Sequence, residues 1–163
     1  MEYTFRNDQP DVAIDILRKV GQWLIDSGHE LWAVDDLTHQ NLVDQHTQDN
    51  LYVMYADDEP AAVFILQWSD PLYYPTVPLN TTGLIHKLAI RRQFAGQRLF
   101  TNIIQFCREQ CLARHIHEIQ LETDATRPKL LQFYESYGFS RTHRQQIEEF
   151  GKTFDCQYYR LRF

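Results

Sequence analysis

HKLAIRRQFAGQRLF, residues 86–100, passes from a short apolar run through a basic turn holding one glycine into a segment with apolar residues at helical spacing. A strand that feeds a helix through such a turn is a common way to build an anion site. The start of the helix offers unpaired backbone N–H groups and the positive end of its dipole, and glycine lets the backbone come close. One glycine is a weak signal by itself, so the neighbouring chain must decide what the turn belongs to.

Immediately upstream, Gly83 to Ile90 reads as a strand. Downstream, Gly96 to Arg114 carries Leu99, Phe100, Ile103, Ile104, Phe106, Cys107 and Cys111 at spacings of three and four, which predicts an amphipathic helix packed on a sheet. HEIQLET (117–123) alternates as a strand, and Arg127 to Tyr137 reads as a helix with Pro128 in its first turn and Gly138 as its stop. Further out, YTFR (3–6) is a strand, and Asp11 to Ser27 is a helix with Val12, Ile16, Val20, Trp23 and Leu24 on one face, closed by Gly28. A second, shorter helix is expected around Val34 to Val43. LYVMYADDEPAAVFILQW (51–68) reads as an antiparallel hairpin turning at Asp57 to Pro60. SDPLYYPTVPLNTTG (69–83) reads as a surface loop, and FSRTHRQQIEE and CQYYRLRF close the chain as strands. The order predicts a mixed α/β fold, an α+β mixed sheet with a partly parallel βαβα unit at its centre.

At 163 residues and 44% hydrophobic, the chain suits one domain over 1–163, with no linker-like segment. No apolar run approaches a membrane span and the first residues lack the order of a secretory signal, so a cytoplasmic protein is expected, with its three cysteines reduced. The net charge of −6 is unevenly spread. Residues 1–60 hold 13 acidic and 3 basic side chains, and residues 61–163 hold 9 and 13. Such a division suits an amine drawn to one part and a phosphate to the other, and suits a plain solvated surface equally well.

GLIHKLAIRRQFAGQRL, followed by RPKLLQFYESYGF, resembles the GCN5-related N-acetyltransferases (GNAT), and the element order is similar over nearly the whole chain. The resemblance implies the GNAT-like acyl-CoA N-acyltransferase fold, acetyl-CoA as cosubstrate, and transfer of an acetyl group to a primary amine by direct attack in a ternary complex. It implies that the backbone of Leu88, Ala89 and Ile90 receives the pantetheine arm and thioester. It also implies that Phe94, Ala95, Gly96, Gln97, Arg98, Leu99 and Phe100 form the pyrophosphate loop and first helical turn, with Arg91, Arg92 and Arg98 as charged supports. The family's pattern asks for Arg or Gln, then glycines, at places that fall here on Ala95, Arg98 and Phe100. A frame two residues earlier matches Gln93 and Gly96 but shortens the turn. Arg98 then either adds a contact to phosphate or obstructs the close approach that glycine permits.

Acyl transfer to an amine needs a base for the amine, a polarised carbonyl and a proton for the departing thiolate. Tyr134 stands at the family's tyrosine position and is the candidate acid, whereas Phe133 and Tyr137 suit packing. Glu122, late in its strand, and His86 are candidate bases, and water is a third. Trp68, Asp70, Tyr73 and Tyr74 can wall a site for a cationic acceptor, or simply pack their own loop. Cys107, Cys111 and His115 recur every four residues, but in phase with Leu99 and Ile103, so the cysteines are expected in the core and no metal is expected. Partners expected are acetyl-CoA and an amine-bearing acceptor, with no nucleic acid and no membrane, in a monomer or homodimer. Two rivals remain open: a GNAT-like CoA-binding or regulatory domain without turnover, and a protein-interaction module built on the DPLYYP loop.

Overall fold

A computed structural model describes residues 1–44, 47 and 49–163. Its strands are β1 (Tyr3–Arg6), β2 (Leu51–Ala56), β3 (Glu59–Gln67), β4 (Gly83–Ile90), β5 (Glu118–Asp124), β6 (Ser140–Glu149) and β7 (Lys152–Arg162). They form one seven-stranded mixed sheet in the order β1-β2-β3-β4-β5-β7-β6. The helices are α1 (Pro10–Asp26), a single turn α2 (His39–Leu42), α3 (Leu99–Ala113) and α4 (Pro128–Ser136). β4 and β5 run parallel, pairing Gly83 to Ile85 with Ile119 to Leu121, while β1-β2, β2-β3, β5-β7 and β6-β7 are antiparallel. The mixed α/β class expected from the element order is the one observed. Among the described residues, no helix is long and apolar enough to cross a membrane.

The chain packs into two compact units, residues 1–67 with 86–104, and residues 68–85 with 105–163. In the first, Ala13, Ile16 and Leu17 of α1 pack with Leu37, Leu51, Val53, Val63 and Ile65. β3 is buried from Ala61 onward on both faces, as its unbroken apolar run implies. In the second, Tyr74, Leu84, Ile147, Cys156 and Tyr158 form a cluster. All three cysteines are free thiols and buried. Burial pushes the Cys111 thiol up to about 12.

Three details correct the sequence reading. The buried stripe of α1 is Ala13, Ile16, Leu17 and Gly21, whereas Trp23 is 38% exposed. Small residues decide this. A Cβ on Gly21 would lie 3.2 Å from Leu37 Cδ1, tighter than ordinary contact, so glycine eases the close approach of the helix. The helix expected around Val34 to Val43 is instead a 3-10 turn at Val34–Asp36 and the single turn α2, interrupted where buried Leu37 takes ψ 72°. Thr38 caps α2 by accepting from the Asn41 N–H at 3.2 Å. Finally, α3 begins at Leu99 rather than at Gly96, because Gly96 and Arg98 both take positive φ, 79° and 58°, which a right-handed helix cannot include.

Candidate active site

The loop after β4 is built by anchors at both ends. The Arg91 N–H donates to the Ala61 carbonyl at 2.9 Å, continuing the pairing with β3, and the Arg91 guanidinium donates to the Pro60 carbonyl at 2.7 Å and to Glu59 at 3.4 Å. A 3-10 turn at Arg92–Phe94 follows, with the Phe94 ring buried. Leu99 and Phe100 are buried at the start of α3, so their side chains fix the helix and only their backbone is available to a ligand. Between these anchors Ala95, Gly96, Gln97 and Arg98 are exposed. The Thr101 N–H donates to the Arg98 carbonyl at 3.1 Å, so Leu99 and Phe100 N–H lie ahead of that bond, at the open end of the helix.

Of the three expected arginine supports, two are engaged inside this unit. Arg91 holds the β3 start, and the Arg92 guanidinium lies over the Trp23 ring at 4.5 Å. Arg98, in the turn just before α3, is exposed. It takes the left-handed conformation that the family pattern meets with glycine. Halfway along β4, Lys87 is also left-handed, at φ 51°, so the strand is kinked just before Leu88, Ala89 and Ile90. Ala89 is buried, and His86, Leu88 and Ile90 are partly so. Nothing in the run HKLAI signals the kink, since lysine has no preference for that backbone.

In the second unit a carboxylate is surrounded by phenols. Glu122, on β5, sits directly across from Tyr158 of β7 in the antiparallel register, so both side chains share one face. The Tyr74 hydroxyl, from the loop before β4, donates to Glu122 Oε2 at 2.5 Å. Tyr73 donates to Glu149 Oε1 at 3.0 Å, and Tyr158 donates to the Tyr73 carbonyl at 2.9 Å. Tyr134, on α4, is buried at 7% exposure, with its ring edge-on to Phe133 and Phe139. Its phenol is pushed well above the ordinary range, by burial first, then by the charge of Glu122 and by Tyr159. Burial followed by the Glu122 carboxylate does the same for Tyr74 and Tyr158, and burial followed by Glu149 does so for Tyr73. All four phenols therefore stay protonated, and of them Tyr74 donates to Glu122, Tyr73 to Glu149 and Tyr158 to a backbone carbonyl.

The remaining expected acceptor residues are placed differently. Trp68 is buried, with the Arg114 guanidinium 4.2 Å from its ring centroid, so that face already carries a cation. The Asp70 carboxylate accepts from the Leu72 and Tyr73 N–H groups at 3.0 Å each, an Asx turn that shapes the loop. Tyr74, expected on a surface loop, is instead only 4% exposed. Tyr158, Glu149 and His143, which stacks on Tyr158 at 4.2 Å, were not foreseen. The alternation of CQYYRLRF could have flagged Tyr158, since only one of the adjacent tyrosines can share the face of Glu122. Among the described residues, no three His, Cys, Asp or Glu side chains gather as a metal-binding group.

A family model described as the acetyltransferase (GNAT) family matches residues 17–139, three quarters of the chain. The chain is a member of the GNAT family. No curated protein matches it. Solved structures share its fold at low identity. A GNAT-family acetyltransferase from Listeria monocytogenes superposes with a TM-score of 0.72 at 16% identity, covering 100% of this chain and 96% of its own. An acetyltransferase from Streptococcus agalactiae gives 0.69 at 13% identity, with 99% and 98% covered. The protein yncA from Salmonella typhimurium, solved with its cofactor acetyl-CoA, gives 0.63 at 12% identity, with 99% and 94% covered. A Cβ built on Gly96 meets nothing within 4 Å, so the space beside that backbone is open, next to a helix start and an exposed guanidinium.

Proposed function

We propose that this GNAT-family protein transfers an acetyl group from acetyl-CoA to a primary amine, by direct attack of the amine on the thioester. The observation that carries the reading is the placement of Glu122 and Tyr134: a carboxylate and a buried phenol on neighbouring elements, with the Glu122 charge helping burial to raise the phenol above its ordinary value. Acetyl-CoA, when bound, supplies the activated acetyl group. The Ala95 to Phe100 backbone and Arg98 would hold its pyrophosphate, and the kinked β4 over Leu88 to Ile90 would offer backbone N–H to the thioester carbonyl.

Glu122 is the favoured base over His86, because its carboxylate accepts from the Tyr74 phenol and its charge reaches Tyr134 and Tyr158. It takes the ammonium proton directly or through water, freeing the amine to attack. Tyr134 then donates toward the thiolate as the tetrahedral intermediate collapses. The two steps help each other. While Glu122 is ionised its charge opposes loss of the Tyr134 proton, and once Glu122 has taken the amine's proton that opposition is gone. Tyr134 thus becomes the better acid at the stage when the thiolate needs one.

The first test is thermal unfolding with acetyl-CoA, CoA and ATP. Ligand at a hundred times its dissociation constant adds about 2.7 kcal/mol, moving the midpoint of a domain this size by several degrees, roughly 2 to 4 per kcal/mol. A shift with both CoA species and not with ATP supports the reading, and an amine panel scored by CoA release follows. No shift at millimolar ligand overturns it.

A further inference from the structure

The Glu122 side chain can rotate about three bonds, and a glutamate that is free to do so spreads its carboxylate over several positions. Here one oxygen is held. Oε2 accepts from the Tyr74 hydroxyl at 2.5 Å, across 48 residues of sequence. The phenol has little freedom of its own. Its N–H donates to the Asp70 carbonyl at 2.9 Å, and Asp70 in turn closes the turn through Leu72 and Tyr73. Its ring lies edge-on to Tyr158 at 5.2 Å and 77°, and the Tyr158 hydroxyl is tied to the Tyr73 carbonyl. The phenol also remains protonated, so the donor is permanent.

A buried tyrosine needs some partner for its hydroxyl, and a carbonyl would satisfy that need, as it does for Tyr158. Tyr74 instead engages the strand carboxylate that the proposed reaction uses as its base. We infer that Tyr74 is a positioning residue: through its hydroxyl it fixes the Glu122 carboxylate by Oε2, in the orientation in which it meets the acceptor amine. The inference rests on the reading of Glu122 as the base. It makes the DPLYYP loop part of the catalytic apparatus, acting through Glu122 and not through contact with the acceptor.

Two measurements test it. In protein labelled with 13C at the glutamate side-chain carboxyls, the Glu122 resonance is identified by its loss in Glu122→Gln. It moves in Tyr74→Phe if the hydroxyl holds it, and an unmoved resonance overturns the inference. Should Tyr74→Phe fail to fold, 3-fluorotyrosine at position 74 keeps ring and hydroxyl. Its 19F resonance then moves in Glu122→Gln, and an unmoved one overturns the inference.

The second measurement is a kinetic cycle of acetyl-CoA with n-propylamine as the probe acceptor. Tyr74→Phe is expected to lower kcat by about tenfold or more, since small displacements of a base are costly, with KM for acetyl-CoA unchanged. In a Glu122→Gln background the same change is expected to cost nothing further. Independent losses in the two backgrounds, or an unchanged kcat in Tyr74→Phe while Glu122→Gln is slow, overturn the inference and leave the base in place. Wild-type turnover in Glu122→Gln overturns the base itself, and the positioning role with it.

Discussion

Arg98→Gly separates two effects of one residue. Arg98 holds φ 58°, a conformation that costs a side chain roughly 1–2 kcal/mol and costs glycine almost nothing. Glycine gives back about 0.5–1 kcal/mol through its freer unfolded chain, which leaves a net gain of about 0.5–1 kcal/mol for the unliganded variant. The contact with phosphate proposed for the guanidinium would be lost. At an exposed position that contact is worth about 1 kcal/mol, or roughly a fivefold weaker dissociation constant. Acetyl-CoA at a hundred times the wild-type constant would then stabilise wild type by about 2.7 kcal/mol and the variant by only about 1.8. The variant's advantage should disappear when ligand is added. Urea unfolding of both proteins with and without acetyl-CoA measures all four numbers. A variant less stable than wild type without ligand would refute the backbone argument, and an equal or tighter dissociation constant would refute the phosphate contact.

Tyr134→Phe is expected to reduce turnover by about a hundredfold or more while acetyl-CoA affinity stays within a factor of about two, measured by steady-state kinetics beside calorimetry. Gly96→Ala is expected to lower stability by about 1 kcal/mol through its φ of 79°, with no clash in the protein, and to weaken acetyl-CoA binding because the new methyl occupies the open space beside the backbone. Unchanged binding would place the pyrophosphate elsewhere. Alkali should unfold the protein steeply. Tyr74 and Tyr134 have folded-state values raised by burial, so the stability they contribute is complete below the ordinary phenol value and is lost as pH rises above about 10, by up to about 1.4 kcal/mol per pH unit for each. The tyrosinate absorbance of Tyr74 and Tyr134, isolated by difference from Tyr74→Phe and Tyr134→Phe, should therefore appear together with loss of circular dichroism, and titration of either phenol before unfolding would contradict its burial.

What could be read from the chain alone was whatever local pattern decides. The bounds of β4 follow from one apolar run stopped by arginines, and α4 follows from Pro128 and Gly138 at its two ends. The buried face of α1 was misread because apolar bulk was counted, whereas Ala13 and Gly21 were selected for being small. The left-handed turns at Lys87 and Arg98 were invisible for a related reason. Tertiary anchors impose them on residues with no taste for that backbone, and composition records only taste. At the candidate site, Tyr134 and Glu122 were named from the family resemblance and from position along a strand. Tyr74 reads from the sequence as a wall of an acceptor site or as packing within its own loop, and its bond to Glu122 depends on a loop path that no periodicity encodes. Tyr158 needed the β5-β7 register, which is fixed by pairing across 36 residues.

The division of the chain has a consequence for its synthesis. Residues 1–67 emerge from the ribosome first, but their unit lacks residues 86–104, which supply the rest of β4, the loop and the first turns of α3. Until β4 (Gly83–Ile90) is out, β3 has an open edge along a run buried from Ala61 to Trp68 in the finished protein. An exposed apolar edge is a template for pairing with other chains. The growing polypeptide therefore passes through an interval of 23 residues, from Gln67 to Ile90, in which its most apolar strand awaits its neighbour. Slower elongation over that interval, or fewer chaperones to cover it, should lower the soluble yield without altering the stability of the molecules that finish.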